Sequence, residues 1–291
     1  MSLLQTSVAT ISRGILGALP PTGKRYYIYV MTHGRLPNLR QPRRYTEKIT
    51  WRILNDKRDI WTWTCDKLAM KENVARRAGD AVRIPRTYWH GTDLRELATV
   101  ELPEKWVLKP THRSGLVHLG TGRPDIDMLI AHTRGWLDEV NWKYLGEWAY
   151  QFASRQFLVE ERIGDGETVP DDVKITISGG RPTVIFTKAG RGGASSERFY
   201  GPDWTPLDLS TGDTPGEPLP RPANLGAMLD AAVRIAEGFD LLRVDLYNHG
   251  GELWFGETTP YSGSGTARYD PDEWDFILGD TWQLPDLDAG A

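Results

Sequence analysis

One stretch near the end of the chain limits what the polypeptide can fold into: Leu241 to Tyr247, then Asn248-His249-Gly250-Gly251, then Glu252 to Pro260. From Leu241 to Tyr247 apolar side chains alternate with polar or charged ones. That is the period of a half-buried strand, so Arg243, Asp245 and Tyr247 share one face. The Gly-Gly pair marks a turn, and the residues after it read as the returning strand of a β-hairpin. Glu257 joins the face of Asp245 if the turn holds an odd number of residues. A five-residue turn, for example, sets Glu257 opposite Arg243 and diagonal to Asp245, and glycines make such a bulged turn easy to form. Two carboxylates held that close repel unless something positive lies between them. Mg²⁺, bound through one or two carboxylates with phosphate oxygens and water completing its octahedron, is the usual answer. The alternative is a surface hairpin whose Asp and Glu are simply hydrated.

The chain has 291 residues, enough for one large or two modest domains with a real core. A net charge of -4 shows no excess of Lys and Arg, so nucleic acid is not an expected partner. Cys65 is the only cysteine, which rules out an intrachain disulfide and makes a reducing cytoplasm the default expectation. Residues 1–20 are mildly apolar but interrupted by Arg13, Gly14, Gly17 and Pro20, so they read as neither a signal peptide nor a membrane span. The histidines His33, His90, His118, His132 and His249 have no spacing typical of a zinc site. There is no Gly-x-Ser-x-Gly nucleophile motif.

Along the chain, the spacing predicts a helix from Thr46 as N-cap to Asn55, with Ile49, Ile53 and Leu54 inward. A second helix is capped by Asp66 and ended by Gly79, with Leu68, Lys71, Ala75 and Ala78 at helical spacing. Val82 to Trp89 reads as a strand interrupted by Pro85, and residues 93–98 as a short helix. Lys105 to Pro110 reads as a buried strand, followed by a glycine-rich stretch from Thr111 to Gly122 and a helix from Asp125 to about Val140. Then come a strand from Gln156 to Ile163 and a hairpin of 172–177 with 182–188. The Gly/Pro-rich residues 190–223 are too long for a simple connection and read as a lid, a binding loop or a partly disordered stretch. Asn224 caps a helix closed by Gly238. Mixed helices and strands without a regular βαβ repeat argue an α+β fold.

The order of charged residues then forms a series: Asp66-Lys67 opening a helix, Lys109 ending a strand, a Ser/Gly loop, Glu160-Glu161, Lys174 and the Arg243/Asp245/Glu257 hairpin. This series resembles the ATP-grasp superfamily. Nine ordered blocks narrow the likeness to its TupA-like branch, named for a protein of teichuronopeptide synthesis. They are Tyr26-Tyr27, Arg35-Leu-Pro-Asn38-Leu, Glu47-Lys48-Ile, Asp66-Lys67, Leu102 to Lys109, His112 to Gly115, Asp172-Val-Lys174, Arg243 to Tyr247 and Phe255-Gly-Glu257. Together they run from about Tyr26 to Pro285.

The resemblance implies two α/β lobes clasping ATP behind an N-terminal helical segment. It divides the chain into residues 1–65, a lobe with the phosphate loop at 66–158, and a lobe with the metal site at 159–291. It implies that Lys67 and Lys109 contact the nucleotide phosphates, where lysine supplies point charge and donors. The Arg113-Ser114-Gly115 loop would cover the phosphates with its backbone N–H groups. Glu160 or Glu161 would accept from the ribose hydroxyls, and the sequence leaves open which of these neighbours faces inward. Lys174 would touch phosphate or an acidic substrate, with Arg191 in a similar part. Asp245 and Glu257 match the metal ligands and Arg243 the basic residue beside them. Many ATP-grasp ligases carry an Asn two residues after the glutamate. Here Thr259 stands in its place, a weaker ligand.

The activity so implied is ADP-forming ligation of a small-molecule carboxylate to an amine, with ATP and Mg²⁺. It would serve a cell-surface polymer or a peptide-like metabolite. A kinase that only phosphorylates its substrate would carry the same residues. The oligomeric state and the two substrates leave no mark in the sequence.

Overall fold

The structure, a computed structural model, describes residues 16–164, 172–189, 196–212 and 214–287. Helix α1 (Pro21–His33) and helix α2 (Tyr45–Asn55) lead into a 3-10 turn at Asp59–Cys65 and helix α3 (Lys67–Ala78). Three antiparallel pairings build a first sheet in the order β1-β4-β2-β3, from β1 (Thr87–Gly91), β2 (Lys105–Pro110), β3 (His118–Thr121) and β4 (Phe157–Glu161). Helix α4 (Ile126–His132) lies between β3 and β4 in sequence. The second sheet runs in the order β10-β9-β5-β6-β7-β8. Its strands are β5 (Asp172–Ser178), β6 (Arg181–Ala189), β7 (Ser196–Tyr200), β8 (Thr214–Pro215), β9 (Leu241–His249) and β10 (Glu252–Thr259). Helices α5 (Leu225–Ile235) and α6 (Glu273–Asp280) complete the chain, so the fold is α+β with two sheets.

Each sheet turns one face to a core and the other to a shared cleft. In the first sheet Trp106, Leu108, Phe157 and Val159 point into a small core with Leu94, Leu97 and Leu129. Strand alternation then sends Lys109 and Glu160 to the opposite face. In the second sheet Val173, Ile175, Ile177, Leu242, Val244 and Leu246 pack in the main core with Met228, Ala232 and Ile235 of α5. Asp172, Lys174, Arg243 and Asp245 therefore stand together on the other side. The apolar period thus sorts the charged residues of both sheets before any of them makes a bond.

The N-terminal segment is welded to the second sheet by buried charge. Arg52 of α2 is fully buried between the rings of Trp61 and Trp282, with its guanidinium carbon 4.3 and 4.2 Å from their centroids. It donates to the carbonyls of Leu241 (2.9 Å) and Pro260 (3.0 Å) and to Asp240 (2.5 Å). Asp275 of α6 accepts from both the backbone N–H and the hydroxyl of Thr46 (2.9 and 2.7 Å).

Several local expectations are corrected. Thr46 does not cap α2: Arg44 holds that position, and Glu47 collects the N–H groups of Asn38, Arg43 and Arg44. The buried stripe of α3 is Lys67, Met70, Val74 and Ala78, not the stripe through Leu68 and Ala75. Asp66 caps that helix as expected, accepting from the N–H groups of Leu68 and Ala69. Only Thr87 onward pairs as β1, because Pro85 interrupts the ladder. The helix after Asp125 ends at His132, where Thr133 turns its hydroxyl back to the Leu129 carbonyl and Gly135 takes φ +77°. Residues 118–121, inside the glycine-rich stretch, form β3 against β2. The 190–223 stretch is not one loop either. Residues 196–200 pair with β6, and a Gly/Pro-rich composition concealed their alternation; residues 190–195 and 213 lie outside the described residues.

Candidate active site

The carboxylate hairpin forms, by a different route from the one its sequence suggests. Its turn has two residues, Gly250 and Gly251, both with positive φ (62° and 81°), and His249 pairs with Glu252. An unbroken ladder from that turn would set Glu257 opposite Val244, on the apolar face. A bulge between Phe255 and Glu257 shifts the register by one, so Glu257 pairs with Asp245 and Thr259 with Arg243. Gly256 is the extra residue. A Cβ there would sit 2.9 Å from the Asp245 carbonyl oxygen, so glycine lets the bulged backbone approach its partner strand.

Around Asp245 the charges interlock. Arg243 grips it through two bonds, Nε to Oδ1 at 2.7 Å and a terminal nitrogen to Oδ2 at 2.8 Å. Lys174 of the neighbouring β5 donates to Asp245 at 2.5 Å and also to Asp172. The register places them so, since Lys174 pairs with Asp245 and Thr176 with Arg243. Burial alone would make the Asp245 carboxylate hard to ionise, but Arg243 and Lys174 outweigh it and hold the carboxyl below its ordinary pKa. Arg243 also reaches toward Glu257, 3.7 Å away. Glu257, unlike Asp245, keeps more than a quarter of its side chain exposed.

On the first sheet, Glu160 is the residue that faces the cleft. Val107 is its strand partner, so Lys109 stands diagonally beside it and pairs with its carboxylate. Lys71 of α3 holds the other oxygen at 2.5 Å and donates to the Pro85 carbonyl and the Thr87 hydroxyl. Burial opposes ionisation of Glu160, and the two lysines reverse that, drawing its pKa below the ordinary glutamate value. Glu161 turns to the opposite face, where it accepts from the Arg86 N–H at 3.0 Å. Strand alternation thus separates the two neighbours, Glu160 toward Lys71 and Lys109 and Glu161 toward Arg86.

Lys67, one turn before Lys71 on α3, is buried and donates to the Arg113 carbonyl at 2.6 Å. Burial lowers its pKa; Glu257 acts against that, and Lys109 with it. A cavity of about 170 Å³ joins these parts, lined by Lys67, Arg113 and Ser114 from the N-terminal half and by Arg243, Glu257 and Thr259 from the hairpin. Gly115, next to Ser114, has φ +75°, a conformation that suits glycine in the β2–β3 loop. Arg191 lies outside the described residues.

Lys71 was missed by the sequence reading as a site residue, although its place four residues after Lys67 puts both on one helix face. Asn141, Glu147, Tyr150, Tyr261 and Ser264 also line the cavity, and no local pattern marks them.

The site's chemistry suits a hard cation bound together with polyphosphate. Three carboxylates (Asp172, Asp245, Glu257) face Lys174 and Arg243, and Lys67 adds a third cation beside Glu257, so the cluster is balanced until substrate phosphates bring negative charge to it. Among the described residues no three His, Cys, Asp or Glu side chains converge as a closed metal cage. Mg²⁺ does not ask for one, because it keeps waters and takes substrate phosphate oxygens. Glu257 and Thr259 open to the cavity and fit such an ion, while Asp245, the strand partner of Glu257, lies buried behind them with both oxygens held by Arg243 and Lys174.

A cavity lined by Lys67, the Arg113-Ser114 loop and the carboxylate hairpin is the arrangement of a nucleotide-clasping class of protein. The chain belongs to the TupA-like ATP-grasp family, whose model matches residues 47–283. No curated protein matches it. Among solved structures it is similar to the D-alanine–D-alanine ligase of Bacillus anthracis complexed with ATP: 15% identity, 68% of this chain and 54% of that one, TM-score 0.39. It is also similar to the VanG D-Ala:D-Ser ligase of Enterococcus faecalis, with 15% identity, 68% and 53% coverage and TM-score 0.45. An L-amino acid ligase of Bacillus licheniformis aligns at 13% identity over 69% of this chain and 42% of its own, with TM-score 0.43. The chain thus spans about half the length of these relatives. No helix among the described residues is long and apolar enough to cross a membrane.

Proposed function

We propose that the protein is an ATP-dependent ligase that joins a small-molecule carboxylate to an amine through an acyl phosphate. The observation that carries this reading is the cavity in which Lys67, Arg243 and Glu257 meet. Lys67 and Lys109 hold the nucleotide phosphates, and the Ser114-Gly115 loop closes over them. Glu160, fixed by Lys71 and Lys109, orients the nucleotide beside the first sheet. Glu257 and Thr259, with Asp245 beside Glu257 in the ladder, would hold Mg²⁺, which when bound would supply charge neutralisation for the transferring phosphoryl group. The substrate carboxylate takes the γ-phosphoryl group, giving ADP and an acyl phosphate. The amine then attacks the acyl carbon, and Arg243 stabilises the oxyanion before phosphate leaves. Lys174 keeps Asp245 ionised and in register.

The test is incubation with ATP, Mg²⁺, hydroxylamine and a panel of carboxylates: the protein amino acids, D-alanine, succinate, citrate and glucuronate. An acyl phosphate is intercepted as a hydroxamate. Carboxylate-dependent ADP release with hydroxamate is the expected result. A stable phosphate monoester without hydroxamate would assign the protein to the kinases instead.

Lys67→Met and Lys109→Met keep the aliphatic stem and lose the charge. Each is expected to weaken ATP binding about tenfold to a hundredfold, in line with the loss of one charged hydrogen bond. Calorimetric titration measures it, and unchanged affinity in both variants would remove the phosphate assignment.

A further inference from the structure

One buried acid in the cavity has no part in the phosphoryl chemistry. Glu147 lies between the turn at Asn141–Leu145 and the 3-10 turn at Trp148–Phe152, and it is only 2% exposed. One carboxylate oxygen accepts from the Asn141 amide at 2.6 Å, the other from the Ser264 hydroxyl at 2.5 Å. Both donors are neutral. Arg25, itself fully buried, is its charge partner but donates to the carbonyls of Leu145 and Ser264 and to Thr50 rather than to Glu147. Burial raises the Glu147 pKa, while Ser264, Asn141 and Arg25 partly offset it.

A carboxylate offers about four lone-pair positions, and the two bonds here use two of them. The side chain lines the same cavity as Arg243 and Glu257, with Cys65, Tyr150 and Tyr261 in the wall around it. Apolar and aromatic surroundings strengthen any charge contact made there. A carboxylate buried among neutral donors is costly unless a cation joins it. The cavity's other acid, Glu257, already faces Arg243, and Lys67, Arg113 and Arg243 repel a second cation from the phosphate end. Glu147 is thus the place in this cavity for a positive group of a substrate.

We propose that Glu147 is the receptor for the ammonium group of the amine substrate: its carboxylate binds the cation and takes one proton from it, freeing the nitrogen lone pair that attacks the acyl carbon as phosphate leaves. The inference rests on the ligase reading above. It also gives the amine an advantage over water, which carries no charge for Glu147 to recognise.

Hydroxylamine, neutral at pH 7.5, provides the comparison. The wild type and the Glu147→Gln and Glu147→Asp variants are given ATP, Mg²⁺ and the best carboxylate of the panel. Each then receives either hydroxylamine or an ammonium probe, these probes being the protein amino acids, D-alanine and methylamine. In Glu147→Gln the ratio of amide to hydroxamate is expected to fall at least tenfold through a raised KM for the ammonium probe. Glu147→Asp recovers part of it. An unchanged ratio would overturn the inference. So would an equal loss of both products with a lowered melting temperature, which marks a scaffold role, or a wild type that forms hydroxamate but uses no ammonium probe. If the wild type forms no hydroxamate with any carboxylate, the ligase reading itself fails and takes this inference with it.

Discussion

Glu257→Gln is expected to lower turnover about a thousandfold while leaving the melting temperature within a degree or two, whereas Asp245→Asn loses both activity and stability. The two carboxylates are strand partners, but their surroundings differ. Asp245 is 1% exposed and neutralises two cations, Arg243 and Lys174. Making it neutral leaves Lys174 with Asp172 alone and Arg243 with only Glu257 at 3.7 Å, a loss of up to about 3–5 kcal/mol. Glu257 opens onto the cavity and touches Arg243 only at 3.7 Å, so its charge serves the transferring phosphoryl group more than the fold. An interaction made chiefly in the transition state appears in kcat. Thermal denaturation and steady-state ADP release measure the contrast. A stable, inactive Asp245→Asn beside an unstable Glu257→Gln would reverse the assignment of the two roles.

Arg52→Met is expected to be the most damaging single change outside the cleft. The methionine fills part of the slot between Trp61 and Trp282, but it leaves the carbonyls of Leu241 and Pro260 without their donor and takes one partner from Asp240. Asp240 keeps Arg58 at 2.6 Å and the Trp282 indole at 2.8 Å, which limits the loss. Breaking a buried ion pair together with two buried hydrogen bonds costs about 3–5 kcal/mol. In a chain of this size that lowers the melting temperature by roughly 6–15 °C. Arg52→Lys restores the charge but not the planar fork that meets three acceptors, so it recovers only part. A melting temperature unchanged in Arg52→Met would show that the N-terminal helices do not depend on this joint.

The sequence by itself determined the elements whose chemistry is local and periodic. The apolar run in Lys105 to Pro110 and the alternation in Leu241 to Tyr247 located those strands, and Asp66 marked the start of α3. The order of lysines and acids was enough to show the resemblance, since each sits on a strand, helix start or loop that the pattern locates. The sequence also brought Asp245 and Glu257 together, though by the wrong geometry: parity asked for an odd turn, and the structure supplies an even turn with a bulge at Gly256. A bulge is a relation between two strands, so no single-strand pattern announces it.

Tertiary structure decided the rest. The choice between Glu160 and Glu161 depends on which face of β4 meets a core, and that is set by Trp106 and Leu108 on a strand some 50 residues earlier. Lys71 and Lys109 acquire a role only because α3 and β2 converge on one carboxylate. Glu147 and Ser264 are 117 residues apart, and nothing near either in sequence marks it as part of a site. A periodic pattern records which side of an element is dry. What lies across a cleft from that element is set by the packing of whole sheets and helices, and there the local sequence carries no signal.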